Sequence, residues 1–128
     1  MQMTEREGLE LWRKAVTASV RSDAPDLTAR QQAVLMTVAL TPGPHTVRGL
    51  AEHLGIAKPA VTRALDALER LHFIRRLPDD TDLRSIFIER TAEGMAYLRA
   101  FARLVLAAAS GEETGGAKSP SRRNSAVA

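Results

Sequence analysis

In the stretch IAKPAVTRALDAL (Ile56 to Leu68), two cations, a proline and a hydroxyl interrupt an apolar-periodic run. On a helical wheel Val61, Ala64, Leu65, Leu68 and Leu71 share one face, and Pro59, Thr62, Arg63, Asp66 and Arg70 share the other. A helix with that polar face has the equipment to enter a groove of duplex DNA. Arg63 is long and forked, suited to the O6/N7 edge of guanine, and Thr62 offers a hydroxyl to either base type or a methyl to thymine. Lys58 falls in the first turn, where backbone N–H groups lack intrahelical partners and form a seat for phosphate. Pro59 is tolerated there because its missing N–H would have had no intrahelical partner.

A second group follows in FIRRLPDDTDLRSIFIERT. Phe73 and Ile74 lead in, Pro78 and three aspartates make a polar turn, and Ile86 and Ile88 then alternate with Ser85, Phe87 and Glu89, which predicts a β-hairpin. Asp82 and Arg84 lie two apart near its tip, on one face of a strand. An arginine there can reach an adjacent minor groove, where narrow A·T tracts attract it, and Asp82 can hold the guanidinium by a charge-assisted pair. Arg75 and Arg76 stand at the hairpin base, within reach of backbone phosphates. Asp79 and Asp80 read as turn formers.

The elements that must position these residues are mainly helical. Leu9, Trp12, Val16 and Val20 recur at spacings of three and four and predict a helix over 4–22. SDAP ends it, since the residue before a proline is pushed out of the helical region. A second helix begins at Thr28, with Gln31 completing a capping box, and stops at TPGPH. A third runs from its N-cap Thr46 to Leu54 and closes on Gly55. The fourth, 58–71, follows at helix-turn-helix spacing. After the hairpin, a last helix over 91–109 carries Met95, Leu98, Ala102 and Val105 or Leu106 as its apolar side. The expectation is one domain, 1–110, mainly α with a small β-hairpin wing: a winged helix-turn-helix with flanking helices. The Gly- and Ser-rich segment 111–128 is expected to be disordered.

Composition sets the limits. Of 128 residues, 45% are hydrophobic, 26% charged and only 4% aromatic, so the core is aliphatic. With no cysteine there is no disulfide framework and no thiolate metal site. The net charge is +3, yet residues 45–90 hold eight basic against seven acidic side chains, so the placement of charge, not its sum, carries the argument. The amino-terminal residues lack the basic-then-apolar run of a signal peptide, and no apolar run approaches membrane-spanning length, so a cytoplasmic, nucleoid-associated protein is expected. His45, His53 and His72 form no ligand pattern, which predicts no metal and no cofactor. No phosphate loop or nucleophile motif is present, so an enzyme is not expected.

From Leu27 to about Leu98 the sequence resembles the multiple-antibiotic-resistance regulator (MarR) family of winged helix-turn-helix transcription factors. LTARQQAVL, LAEHLGIAKPAVTRALDALERLHFIRR and DLRSIFIERTAEG carry the resemblance. The family's wing pattern, Asp-x-Arg followed seven residues later by Thr-x-x-Gly, is matched by Asp82, Arg84, Thr91 and Gly94. The resemblance implies Lys58, Pro59, Ala60, Thr62 and Arg63 in the major groove, Arg84 in the minor groove with Asp82 as its partner, and Arg48 and Thr46 at the backbone. It further implies a homodimer on an inverted-repeat site in double-stranded DNA, acting as a repressor and released by a small aromatic or anionic effector. Four features depart from the pattern. Ala57 replaces a capping Ser or Thr, a loss of about 1 kcal/mol; Leu83 replaces an arginine in the wing; His72 replaces glycine after the fourth helix; and one helix, not two, follows the wing. A dimer would therefore lean on the first and last helices through Trp12, Leu98, Phe101 and Val105. The competing reading is a winged-helix interaction module that docks protein and does not bind DNA sequence-specifically.

Overall fold

The computed structural model describes residues 2–82 and 84–111. Seven elements follow one another: α1 (Glu5–Arg21), α2 (Ala29–Leu40), α3 (Val47–Leu54), α4 (Lys58–Arg70), β1 (Ile74–Pro78), β2 (Ile86–Arg90) and α5 (Ala92–Ala109). They fall into two compact units, one of residues 27–98 and one of residues 1–26 with the segment from Arg99 onward. The segment 112–128, expected to be disordered, and Leu83 lie outside the described residues.

Within 27–98, local chemistry sets each boundary. Thr28 accepts from the Gln31 N–H at 3.1 Å and its own N–H donates to Gln31 Oε1 at 2.9 Å, which closes the expected capping box of α2. Thr46 caps α3 by accepting from Gly49 N–H at 3.0 Å, and Gly55, at φ 68°, ends it in the left-handed conformation that glycine adopts without steric cost. Only Ile56 and Ala57 then separate this turn from α4. Leu35, Leu50, Val61, Leu65, Leu68, Ile74 and Ile88 form the buried aliphatic core, each side chain contributing about 1.5–3 kcal/mol.

The end of α4 needs a left-handed residue that the sequence does not supply as glycine. His72 takes that position at φ 64°, and the Phe73 N–H donates to Leu68 O at 2.9 Å across the turn. The antiparallel hairpin pairs Ile74 with Arg90, Arg76 with Ile88 and Pro78 with Ile86, so these six share one face and Leu77, Phe87, Arg75 and Glu89 share the other. Ile88 also donates its N–H to His45 O at 2.9 Å, tying the outer edge of β2 to the loop before α3.

Thr91 joins the wing to α5. Its hydroxyl donates to His72 O at 2.6 Å and accepts from Gly94 N–H at 3.0 Å, while its own N–H donates to Phe73 O at 3.2 Å. Gly94 lies so close to the Phe73 carbonyl that any Cβ would collide with that oxygen. The Thr-x-x-Gly spacing of the wing pattern is thus a helix cap plus a close backbone approach.

In the other unit Thr4 and Glu7 form a capping box for α1. The buried positions of α1 are Ala15 and Ala18, whereas Leu9, Trp12, Val16 and Val20 are exposed, Leu9 by 73% and Val20 by 62%. Leu9 and Val20 therefore point away from the chain's own core, while Trp12 and Val16 are partly covered. The α5 face also differs from expectation: Gly94, Tyr97, Leu98, Phe101 and Ala108 are buried, while Ala102 and Leu106 are exposed. Trp12 and Phe101 meet edge-on, with centroids 5.7 Å apart and planes at 77°.

Candidate nucleic-acid interface

Helix α4 packs through Val61, Ala64, Leu65 and Leu68 and presents Lys58, Pro59, Thr62 and Arg63 to solvent. Ala60 does not belong to that exposed set. It is buried beside Val61, so its methyl is not offered to a base as the family resemblance implied. Ala57 provides no side-chain cap, but the loss is contained locally. Pro59 has no N–H, and the Ala60 N–H turns back to Ala57 O at 3.0 Å, which leaves the Lys58 amide as the first-turn donor without an intrahelical acceptor.

The hairpin-base arginines have protein partners. Arg76 donates to Asp66 Oδ1 at 2.7 Å and to Glu69 Oε1 at 2.8 Å, and its side chain is only 24% exposed. Arg75 pairs with Glu89 across the strands at 3.2 Å. By sequence both stand within reach of backbone phosphates; in the fold both pair with carboxylates of the chain itself. The acidic partners come from α4 and from β2, which no local spacing brings together.

At the wing tip the Asp82 carboxylate accepts from the Arg84 N–H at 3.0 Å and from the Ser85 hydroxyl at 3.2 Å. Its distance to the Arg84 Nε is 3.8 Å, and the Arg84 side chain is 95% exposed. Asp82 thus shapes the turn more than it holds the guanidinium. Asp79 does similar work: its carboxyl is held below its ordinary value by the backbone N–H of Thr81 and then by the Thr81 hydroxyl.

In the α3 region Thr46 spends its hydroxyl on the cap, and Arg48 is exposed. Among the described residues Arg48, Lys58 and Arg63 have neither an ion pair nor a side-chain hydrogen bond, in contrast to Arg75 and Arg76. A residue that sequence reasoning missed joins them. Arg30, in the first turn of α2, lines a cleft of about 170 Å³ together with Arg63, and the only sequence signal for it is a cation two residues after an N-cap. Of the expected dimer residues, Leu98 and Phe101 are already buried within the chain, Val105 is half-buried, and Trp12 is 46% exposed. Leu9, Val16 and Val20 were not on that set and are more available than Leu98 or Phe101. Among the described residues no group of His, Asp and Glu could hold a metal ion, and no helix is long and apolar enough to cross a membrane.

Residues 27–86 match the MarR family model. No curated protein matches the sequence. The fold is similar to solved structures of related architecture. A variant of S. aureus MepR bound to an oligodeoxyribonucleotide superposes with a TM-score of 0.71 at 23% identity, over 98% of this chain and 91% of that one. The S. aureus MepR–DNA complex gives 0.64 at 26% identity, over 76% and 77%. Streptococcus pneumoniae FabT in complex with DNA gives 0.65 at 18% identity, over 95% and 82%.

Proposed function

We propose, from the match of residues 27–86 to the MarR family model, that the chain is a sequence-specific DNA-binding transcriptional regulator that acts as a repressor. Helix α4 enters the major groove, where Arg63 and Thr62 meet base edges and Lys58 meets a phosphate. Arg84 extends from the wing into the flanking minor groove, and Arg48 adds a backbone contact. Two copies bind an inverted repeat, joined through helices that include the exposed stripe of α1. The chain acts at the bacterial nucleoid in the cytoplasm, performs no chemistry of its own, and is released by a small-molecule effector.

One observation carries this reading. Lys58 and Arg63 project from one exposed face of α4 with no carboxylate partner, while the neighbouring cations Arg75 and Arg76 are neutralised within the chain. Neutralisation of the hairpin-base arginines, beside cations of α4 that stay unpaired, leaves positive charge where a groove-binding helix needs it. The MepR and FabT structures held on DNA supply the precedent for the fold in that role.

Selection from a random duplex pool at near-physiological salt tests it, with the wild type, Arg63→Ala and Arg84→Ala. A palindromic consensus is expected. Arg63→Ala should relax one position by roughly ten- to a hundredfold, the worth of a good bidentate base contact, and Arg84→Ala should weaken a flanking A·T step. No enrichment, or binding that vanishes steeply with salt and ignores both variants, would leave the protein-docking module as the surviving reading.

A further inference from the structure

We propose that the cleft between Arg30 and Arg63 seats a phosphate of the DNA backbone, with Arg30 gripping the duplex without reading it. The inference rests on the regulator reading above and adds a second helix to the contact surface. Its walls are Thr28, Arg30 and Gln31 from the start of α2, and Ala60, Arg63 and Ala64 from α4. Two guanidinium side chains therefore line one small hollow, and neither has a carboxylate or hydrogen-bond partner among the described residues. Positive charge gathered at one cleft without a carboxylate partner favours an anion there.

The rest of the lining is suited to such an anion. Thr28 and Gln31 are occupied with each other in the capping box, so they bring no competing negative charge. The first-turn amides of Ala29 and Arg30 lack intrahelical acceptors by position and add partial positive charge at this end of α2. Ala60 and Ala64 are small and leave room for phosphate oxygens beside Arg30. Arg63 is exposed, and if it reaches a base as proposed, the cleft lies where the flanking strand must pass. Arg63 orients by sequence; Arg30 adds affinity that is blind to sequence.

The test is a fluorescence-anisotropy titration of the full chain against the selected duplex and a scrambled duplex, over a range of salt concentrations. The proteins are the wild type, Arg30→Ala, Arg30→Lys and Arg63→Ala. Arg30→Ala should weaken both duplexes equally, by about tenfold or more, and lower the salt slope by about one per bound protomer. Base preference should be unchanged, and Arg30→Lys should recover most of the loss. Arg63→Ala, by contrast, should narrow the gap between the two duplexes. Wild-type affinity and slope in Arg30→Ala would overturn the phosphate seat while leaving the regulator reading intact. A wild type that fails to bind either duplex would overturn both. Inorganic phosphate bound by the wild type and lost in Arg30→Ala, with DNA affinity unaltered, would assign the cleft to a free anion and overturn the proposal.

Discussion

Arg76, on the strand that leads into the wing, donates to Asp66 on α4 at 2.7 Å and to Glu69 one turn further at 2.8 Å. Asp66 lies on the polar face of α4, four residues after Thr62 and three after Arg63. In the proposed DNA-bound arrangement an unpaired carboxylate there would repel the phosphates. The pair removes that repulsion and fixes the wing to the helix in the same contact.

Arg76→Gln should therefore weaken DNA binding without removing a phosphate contact. The carboxylates are about half exposed, so the stability loss should be modest, about 1 kcal/mol. The salt slope should stay at the wild-type value, and Asp66→Asn combined with Glu69→Gln should restore affinity to Arg76→Gln. A slope lowered by one would instead put Arg76 on a phosphate.

His72 holds a left-handed backbone, φ 64°, at the end of α4. That conformation costs a non-glycine residue about 1–2 kcal/mol, part of which glycine gives back in chain entropy. His72→Gly should raise the urea midpoint, with a gain of about 1 kcal/mol. The Thr91 hydroxyl bonds the backbone of residue 72, so that bond survives the change. An unchanged or lower midpoint would mean that the imidazole contributes more than the strain removes.

Gly94→Ala should be the most damaging single methyl in the wing-proximal region. Its Cβ meets backbone, not a flexible side chain, so relief requires α5 to move away from Phe73. A cost of about 1–3 kcal/mol is expected in thermal or denaturant unfolding. Wild-type stability would show that the first turn of α5 shifts freely.

Trp12 is the only tryptophan and is half exposed in the isolated chain. If the α1 stripe is covered by a second copy, its emission should move to the blue as concentration rises. Val16→Lys should hold the chain as a monomer in sedimentation and abolish the shift. Sedimentation of the wild type as a monomer at high concentration would remove α1 from the dimer.

Glu7 titrates below its ordinary value of 4.5, held there first by the backbone N–H of Thr4 and then by the Thr4 side chain. A lowered folded-state value means the capping box contributes fully above pH 4.5 and is lost as pH falls through the lower folded value. Carboxyl-carbon NMR titration should show that midpoint, and Thr4→Ala should move it up. Identical midpoints in the two proteins would disconnect Glu7 from the cap.

What could be read from sequence was local. Thr28 with Gln31, Thr46 with Gly55, and the alternation through Ile86 and Ile88 each act within a few residues, and each element stands where those signals put it. What sequence does not show involves separations that no window spans. Arg76 finds Asp66 ten residues back only because the hairpin folds against α4. Gly94 is required by a carbonyl twenty-one residues earlier. Periodicity found the α1 stripe correctly but is silent about which surface covers it, and Ala15 and Ala18 are too small to compete in such a pattern.

That stripe has a consequence for how the chain responds to its own abundance. Leu9, Trp12, Val16 and Val20 lie in water in a single copy, and apolar surface in water favours association. A dimer built through them forms in proportion to the square of the monomer concentration. Operator occupancy then climbs faster than linearly while the protein is scarce and linearly once it is plentiful. In the proposed dimer, halving expression near that crossover empties the DNA site by more than half, so α1, outside the proposed DNA-contacting residues, would set the concentration at which binding begins.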